Sequence, residues 1–184
     1  MAKDAGRAAA QAARGLERGY GRSDRALRGY APLLAAFGGA TGAVAVAARL
    51  SGRRPDPLTP WDLLTVALAT HKISRLVTKD SVTSPLRAPF TRFQAPAGDA
   101  EVEEEVLGSG PRKAIGELVT CPFCIGPWAA LAFLTGRTFA PAMTQAVTGG
   151  LSAVAVADFL HLAYAAAQQR LEPPEQREQP EATG

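Results

Sequence analysis

Three stretches of the chain, residues 29–48, 118–136 and 138–157, contain no Asp, Glu, Lys or Arg. A helix rises about 1.5 Å per residue, so ~20 apolar residues cross a ~30 Å hydrocarbon core. Each stretch is close to that length, and a soluble core built from them would have little polar surface to cover it. Whole-chain averages conceal this pattern. With 47% hydrophobic residues, 20% charged residues and a net charge of +3, and a mean hydropathy of −0.01, the totals alone describe an ordinary soluble protein. They exclude a collagen-like, disulfide-rich or wholly disordered chain. So small a net charge gives no reason for a nucleic-acid partner.

The first run is Ala/Gly-rich. Ala35, Gly39, Ala43 and Ala47 recur at every fourth position, with Gly38 and Gly42 beside them. That spacing lets helix backbones approach closely in lipid, although an Ala/Gly-rich composition also produces such stripes by chance. The preceding segment is long and holds Lys3, Arg7, Arg14, Arg18, Arg22, Arg25 and Arg28. Residues 29–50 therefore read as an uncleaved transmembrane helix rather than the core of a signal peptide. A second helix is predicted over 61–77, with Thr59 as N-cap, Pro60 at the first helical position and Asp62 in the first turn. Only residues 63–70 of it lack ionisable groups. Burying Lys72 or His71 at membrane depth is costly, roughly 2.5–3.5 kcal/mol for a charge, so this helix spans against partners or lies at the interface. Spanning is the favoured reading. Pro127 and Trp128 suit the start of a third helix, Thr135-Gly136-Arg137 supplies a turn, and Pro141 opens a fourth helix to about Ala167.

Lys and Arg collect on the cytoplasmic side of bacterial membrane proteins. The N-terminal tail, the segment holding Lys79, Arg87, Arg92, Arg112 and Lys113, and the tail holding Arg170 and Arg177 satisfy that bias if four spans place both termini in the cytoplasm. The expected fold is thus all-α, a multi-pass transmembrane bundle of about four helices, with a basic tail at 1–28, a cytoplasmic loop at 78–117 and a disordered Glu/Pro/Gln-rich tail at 168–184. Within the loop, two prolines in Ser84-Pro85-Leu86-Arg87-Ala88-Pro89-Phe90 argue against a long helix. Asp99, Glu101, Glu103, Glu104 and Glu105 lack the alternation and central Gly of a calcium loop and read as a solvated charge run. Ser109-Gly110-Pro111 opens a short amphipathic helix through Val119.

The only two cysteines stand in Thr120-Cys121-Pro122-Phe123-Cys124-Ile125. Three readings compete. Thiols near a helix N-terminus favour the thiolate, which suits dithiol–disulfide exchange. A C-x-x-C pair is half of a tetrahedral zinc site. Cysteine also packs simply as a small buried residue. Covalent haem attachment is excluded, because Ile125 stands where that motif needs His. A zinc site would need both histidines: the topology brings His71, Cys121, Cys124, Asp158 and His161 to one membrane level, with Asp158 placed to orient His161. No nucleotide-binding glycine pattern or hydrolase triad order stands out.

These features resemble a known family, the bacterial "domain of unknown function 1360" family of small integral-membrane proteins. The likeness covers 61–164. It is carried by Ala-Thr-His-Lys-Ile-Ser-Arg-Leu-Val-Thr-Lys-Asp at 69–80, Ser-Pro-Leu-Arg-Ala-Pro-Phe at 84–90, Gly-Glu-Leu-Val-Thr-Cys-Pro-Phe-Cys-Ile-Gly-Pro-Trp at 116–128, and Ala-Asp-Phe-Leu-His-Leu-Ala-Tyr at 157–164. The resemblance implies a membrane domain over 58–167 and marks Arg75, Asp80, Arg87, Cys121, Cys124 and Trp128 as motif positions. It implies no catalytic residue or cofactor. The sequence thus points to a non-enzymatic scaffold or interaction module of the bacterial cytoplasmic membrane, its partners the bilayer and a membrane protein or second copy. The alternative is a thiol-redox or zinc-binding factor.

Overall fold

The computed structural model describes residue 11 and residues 27–54, 56–98 and 100–171. Most of the basic tail expected at 1–28, and the disordered tail expected at 168–184 beyond Leu171, lie outside the described residues. In chain order the elements are α1 (Leu27–Leu50), α2 (Pro60–Thr78), a 3-10 turn (Ser81–Thr83), the short α3 (Ser84–Arg87), β1 (Thr91–Pro96), β2 (Val102–Val106), α4 (Gly110–Thr120), α5 (Pro122–Phe139) and α6 (Pro141–Leu171).

The described residues are mostly helical, and two to three helices among them are long and apolar enough to cross a membrane. Helices α1 and α6 each qualify, and α4 with α5 forms a pair, bent by 79°, that qualifies as one broken span. Helix α2 does not, because Asp62, Lys72 and Arg75 interrupt its apolar sequence. Its start follows the predicted cap: the Thr59 hydroxyl accepts from the Asp62 N–H at 3.1 Å, and the Thr59 N–H donates to Asp62 Oδ2 at 2.9 Å. This reciprocal pair satisfies two donors that a helix start otherwise leaves open.

Contacts at the helix ends fix the directions of the long helices. Gly29, near the start of α1, lies so close to the start of α4 that a Cβ would meet the Gly110 carbonyl at 2.9 Å. At the far end of α1, Arg53 donates to the Phe139 carbonyl at 2.6 Å. Asp62, at the start of α2, pairs with Arg137 near the end of α5 at 2.9 Å. Toward the end of α2, Lys72 pairs with Asp158 of α6 at 2.8 Å. The four long helices therefore alternate in direction, and the two ends of the bundle carry separate sets of ion pairs.

The α2–α6 interface is built from small residues. Thr144, Thr148 and Ser152 recur at every fourth position of α6 and are buried, with Ala155 following, and Val66 and Ala69 are buried on α2. The Ser152 hydroxyl crosses the interface to the Thr65 carbonyl at 2.8 Å. Small side chains and interhelical hydroxyl bonds of this kind hold helices together where no hydrophobic force acts between them. The small-residue stripe of α1 faces outward instead: Gly38, Gly39 and Gly42 have nothing within 4 Å of a Cβ.

Three expectations are corrected. An all-α chain is expected, yet the central segment holds an antiparallel hairpin, with Thr91 opposite Val106, Arg92 opposite Glu105 and Phe93 opposite Glu104, and a register shift between Phe93 and Ala95. Alternating side chains let β2 turn one carboxylate inward and its neighbours out, and one oppositely charged pair, Arg92 with Glu105, faces across the strands. Second, α5 begins at Pro122 rather than Pro127. Cys121 caps it, and Pro127 sits in the second turn, where its missing N–H forfeits one bond to the Phe123 carbonyl. Third, the turn falls at Ala140, not at Thr135-Gly136-Arg137. Thr135 and Thr138 return their hydroxyls to Leu131 and Leu134 at 2.7 and 3.2 Å, so polar residues there do not end the helix.

Candidate functional site

The hairpin is anchored by Arg87, which is fully buried. Its Nε donates to Glu104 Oε2 at 2.6 Å and its Nη2 to Glu104 Oε1 at 3.3 Å. Nη1 donates to the Val77 carbonyl at 2.7 Å and the Thr83 hydroxyl at 2.6 Å. Nη2 also reaches the Asp80 carbonyl at 3.0 Å and the Ser84 hydroxyl at 3.2 Å. One guanidinium thus ties the end of α2, the 3-10 turn, α3 and β2 together. Arginine suits the position because its planar fork carries five donors and meets a carboxylate with two of them. Arg75 pairs with Glu101, and Asp80 bridges Glu101 through the backbone. The Ser81 N–H donates to the Ala100 carbonyl at 2.8 Å, and the Val102 N–H to the Lys79 carbonyl at 3.0 Å. Arg75, Asp80 and Arg87 accordingly join the end of α2 to the hairpin.

The acidic run is therefore partly structural. Glu104 and Glu101 hold arginines, while Glu103 and Glu105 are exposed and Asp99 lies outside the described residues. Sequence reasoning missed both carboxylates. The available signal was Val102-Glu-Glu-Glu-Val106, whose strand alternation points one glutamate inward. It also missed the Lys72–Asp158 pair and the Tyr30 hydroxyl that donates to Glu117, which ties α1 to α4. Trp128 meets Phe37 of α1 edge-on, with ring centroids 5.1 Å apart.

The residues considered for zinc are not brought together. Among the described residues, no three His, Cys, Asp or Glu side chains form a group fit for a metal ion. His71 stacks on Phe159 with centroids 5.6 Å apart. Asp158 takes Lys72 instead of orienting His161, which is exposed. Cys121 and Cys124 are free thiols, and the Cys124 N–H donates to Cys121 Sγ at 3.3 Å. Cys121 thus acts as the cap of α5, which supports a structural part for it. Cys121→Ser is expected to keep the cap and melt within about 0.5 kcal/mol of the parent, while Cys121→Ala loses about 1 kcal/mol. Thermal unfolding in detergent reads this; equal loss in both variants would show that the thiol itself is needed.

Over residues 65–164 the chain matches the family described as "Protein of unknown function (DUF1360)". It is also similar to the sporulation protein YjcA of Bacillus subtilis (strain 168), 32% identical over 71 residues, which is 37% of this chain and 60% of that protein. The chain thus spans about 60% of the length of the curated relative it matches. No solved structure matches. The matched region contains α2 from Thr65 onward, the hairpin with its Arg87 anchor, α4, α5 and most of α6.

Proposed function

The chain belongs to the DUF1360 family, and from that premise we propose that it is a non-enzymatic scaffold or interaction module of the bacterial cytoplasmic membrane. On this reading α1, α2, α5 and α6 are embedded, and the hairpin end and both termini face the cytoplasm. The observation that carries it is the Arg87 anchor. A loop that buries a guanidinium against Glu104 to hold its shape, while leaving Val82, Leu86 and Phe93 exposed, has the construction of a fixed surface. The alternating helix directions and the distribution of Lys and Arg support the same topology.

Two experiments test it. Reporter fusions are expected to be extracytoplasmic at residue 56 and cytoplasmic at the C-terminus; an extracytoplasmic C-terminus would sink the topology. Proximity labelling from the native locus is expected to lose its partner set in a Val82→Ser, Leu86→Ser, Phe93→Ser variant that still accumulates in the membrane. An unchanged partner set would reject the module.

A second reading rests on the likeness to the sporulation protein and extends a part in sporulation to this chain. Expression in a Bacillus subtilis strain lacking that protein tests it. Where the deletion lowers spore yield, recovery supports the reading, and no recovery despite normal membrane accumulation rejects it.

A further inference from the structure

Between α2 and α5 lies a groove of about 510 Å³, within the range of small-ligand sites. Two hydroxyls on its α2 wall, Thr70 Oγ1 and Ser74 Oγ, are buried and have no hydrogen-bond partner among the described residues. Ser74 is only 4% exposed. Buried hydroxyls elsewhere on α2 and α6 return to the carbonyl four residues back, as Thr78, Thr148 and Ser152 do at 2.7, 2.8 and 2.7 Å. Ser74 does not make that bond. An unpaired buried hydroxyl is destabilising, so one that faces a groove calls for a partner from outside the chain. Gly126 of α5 lies beside this wall: a Cβ there would touch Ser74 Oγ at 3.7 Å and Thr70 Cγ2 at 4.0 Å.

The wall is ordered by polarity. Leu63, Val66 and Ala67 come first along α2, then Thr70, His71 and Ser74, then Arg75 at the hairpin end. At about 1.5 Å per residue the two hydroxyls stand ~6 Å apart along the axis. Apolar surface, then hydroxyl donors, then a cation is also the order in which a glycerophospholipid presents its acyl chain, ester carbonyls and phosphate. We propose that the groove is a binding site for one glycerophospholipid, with an acyl chain along Leu63 to Ala67, ester oxygens on Thr70 and Ser74, and the phosphate at Arg75. Arg75 gives one terminal nitrogen to Glu101, and its remaining donors serve the phosphate. Free phosphate makes no use of the apolar half. A transmembrane helix of another protein can lend a carbonyl to a hydroxyl, as Thr65 does to Ser152 at 2.8 Å, but its apolar face brings no anion to Arg75. The proposal rests on the membrane reading above.

The test uses the full chain purified in detergent, with adducts measured by native mass spectrometry against dioleoyl phosphatidylglycerol, dioleoylglycerol and inorganic phosphate. The phospholipid is expected to bind, dioleoylglycerol at least tenfold more weakly, and phosphate not at all. Gly126→Leu, which fills the groove, lowers phospholipid binding at least tenfold, while Gly38→Leu, where nothing lies within 4 Å, leaves it unchanged. The isosteric pair Thr70→Val, Ser74→Ala weakens binding about tenfold for two lost hydrogen bonds. The same pair keeps or raises the lipid-free melting temperature, because it removes unpaired buried hydroxyls. A fall in melting temperature with unchanged lipid binding would assign the hydroxyls to packing and overturn the site. So would parental binding in Gly126→Leu, binding of phosphate alone, or a dimer that excludes lipid. Recovery of the chain from the soluble fraction would instead refute the membrane reading itself.

Discussion

Replacing Arg87 by alanine is expected to destabilise the chain by about 3–5 kcal/mol, the range for removing one partner of a buried ion pair. The loss has two parts. Glu104, whose side chain is only 6% exposed, is left as a buried carboxylate without its cation. The Val77 and Asp80 carbonyls and the Thr83 and Ser84 hydroxyls lose their shared donor at the same time. Arg87→Lys keeps the charge but not the fork, and one ammonium cannot reach β2, α3 and the end of α2 together. It should therefore fall nearer to alanine than to the parent. Limited proteolysis of purified protein reads the effect locally, since residues 91–106 become cleavable while α5 and α6 stay protected. An Arg87→Ala variant with parental melting and the parental digestion pattern would refute the anchor.

A companion variant separates shape from charge. Arg87→Met with Glu104→Leu removes both ions and keeps apolar volume, and such exchanges are often neutral or stabilising for a buried pair. The carbonyls of Val77 and Asp80 still lose a donor, so recovery to within about 2 kcal/mol of the parent is expected rather than a gain. If the double variant melts near the parent and still recruits the same neighbours, the pair serves to hold the surface. If it folds but recruits nothing, the ion pair sets the shape of the recognised face and apolar volume does not replace it.

Much of this architecture is written in local signals, and the parts that are not share a cause. Thr59, Pro60 and Asp62 announce the start of α2 because a capping box is closed within four residues. Prolines 85 and 89 limit α3 for equally local reasons. The hairpin escaped notice because its strands are short and glutamate-rich, so its inward position is occupied by a carboxylate, and a carboxylate reads as inward only once Arg87 is known to face it. The zinc level illustrates the same limit. Counting turns correctly leads one to expect His71, Cys121 and Asp158 toward one end of the bundle, but pairing is decided by side-chain reach. Lys72, dismissed as a cost of burial, is the residue that takes Asp158. The hydroxyl stripe of Thr144, Thr148 and Ser152 was not read from the sequence, because its burial depends on neighbours such as Gly136 of α5 and the Thr65 carbonyl of α2, a fact that no single helix contains.

Gly136 carries the second large expected effect, and its sign runs against propensity. In the interior of a helix, alanine is favoured over glycine by about 0.5–1 kcal/mol, so Gly136→Ala within α5 would be stabilising on local grounds. Here the added Cβ collides with the Thr144 hydroxyl and lies 3.2 Å from its methyl and 3.4 Å from its Cβ. Thr144 is buried, and its hydroxyl is held by the Ala140 carbonyl at 2.9 Å, so the side chain cannot simply swing aside. The α5–α6 turn must open instead, and overpacking of this kind costs about 1–3 kcal/mol. Thr144→Ala alone should lose about 1 kcal/mol through the missing hydrogen bond. Combined with Gly136→Ala it removes the colliding atoms and leaves two Cβ atoms at ordinary distance, so the pair should melt close to Thr144→Ala. That is a coupling of about 1–3 kcal/mol in a double-mutant cycle. Gly149→Ala, in α6 with nothing within 4 Å, supplies the control and should be neutral or stabilising. If Gly136→Ala raises the melting temperature as Gly149→Ala does, the close approach of α5 and α6 at this turn is wrong.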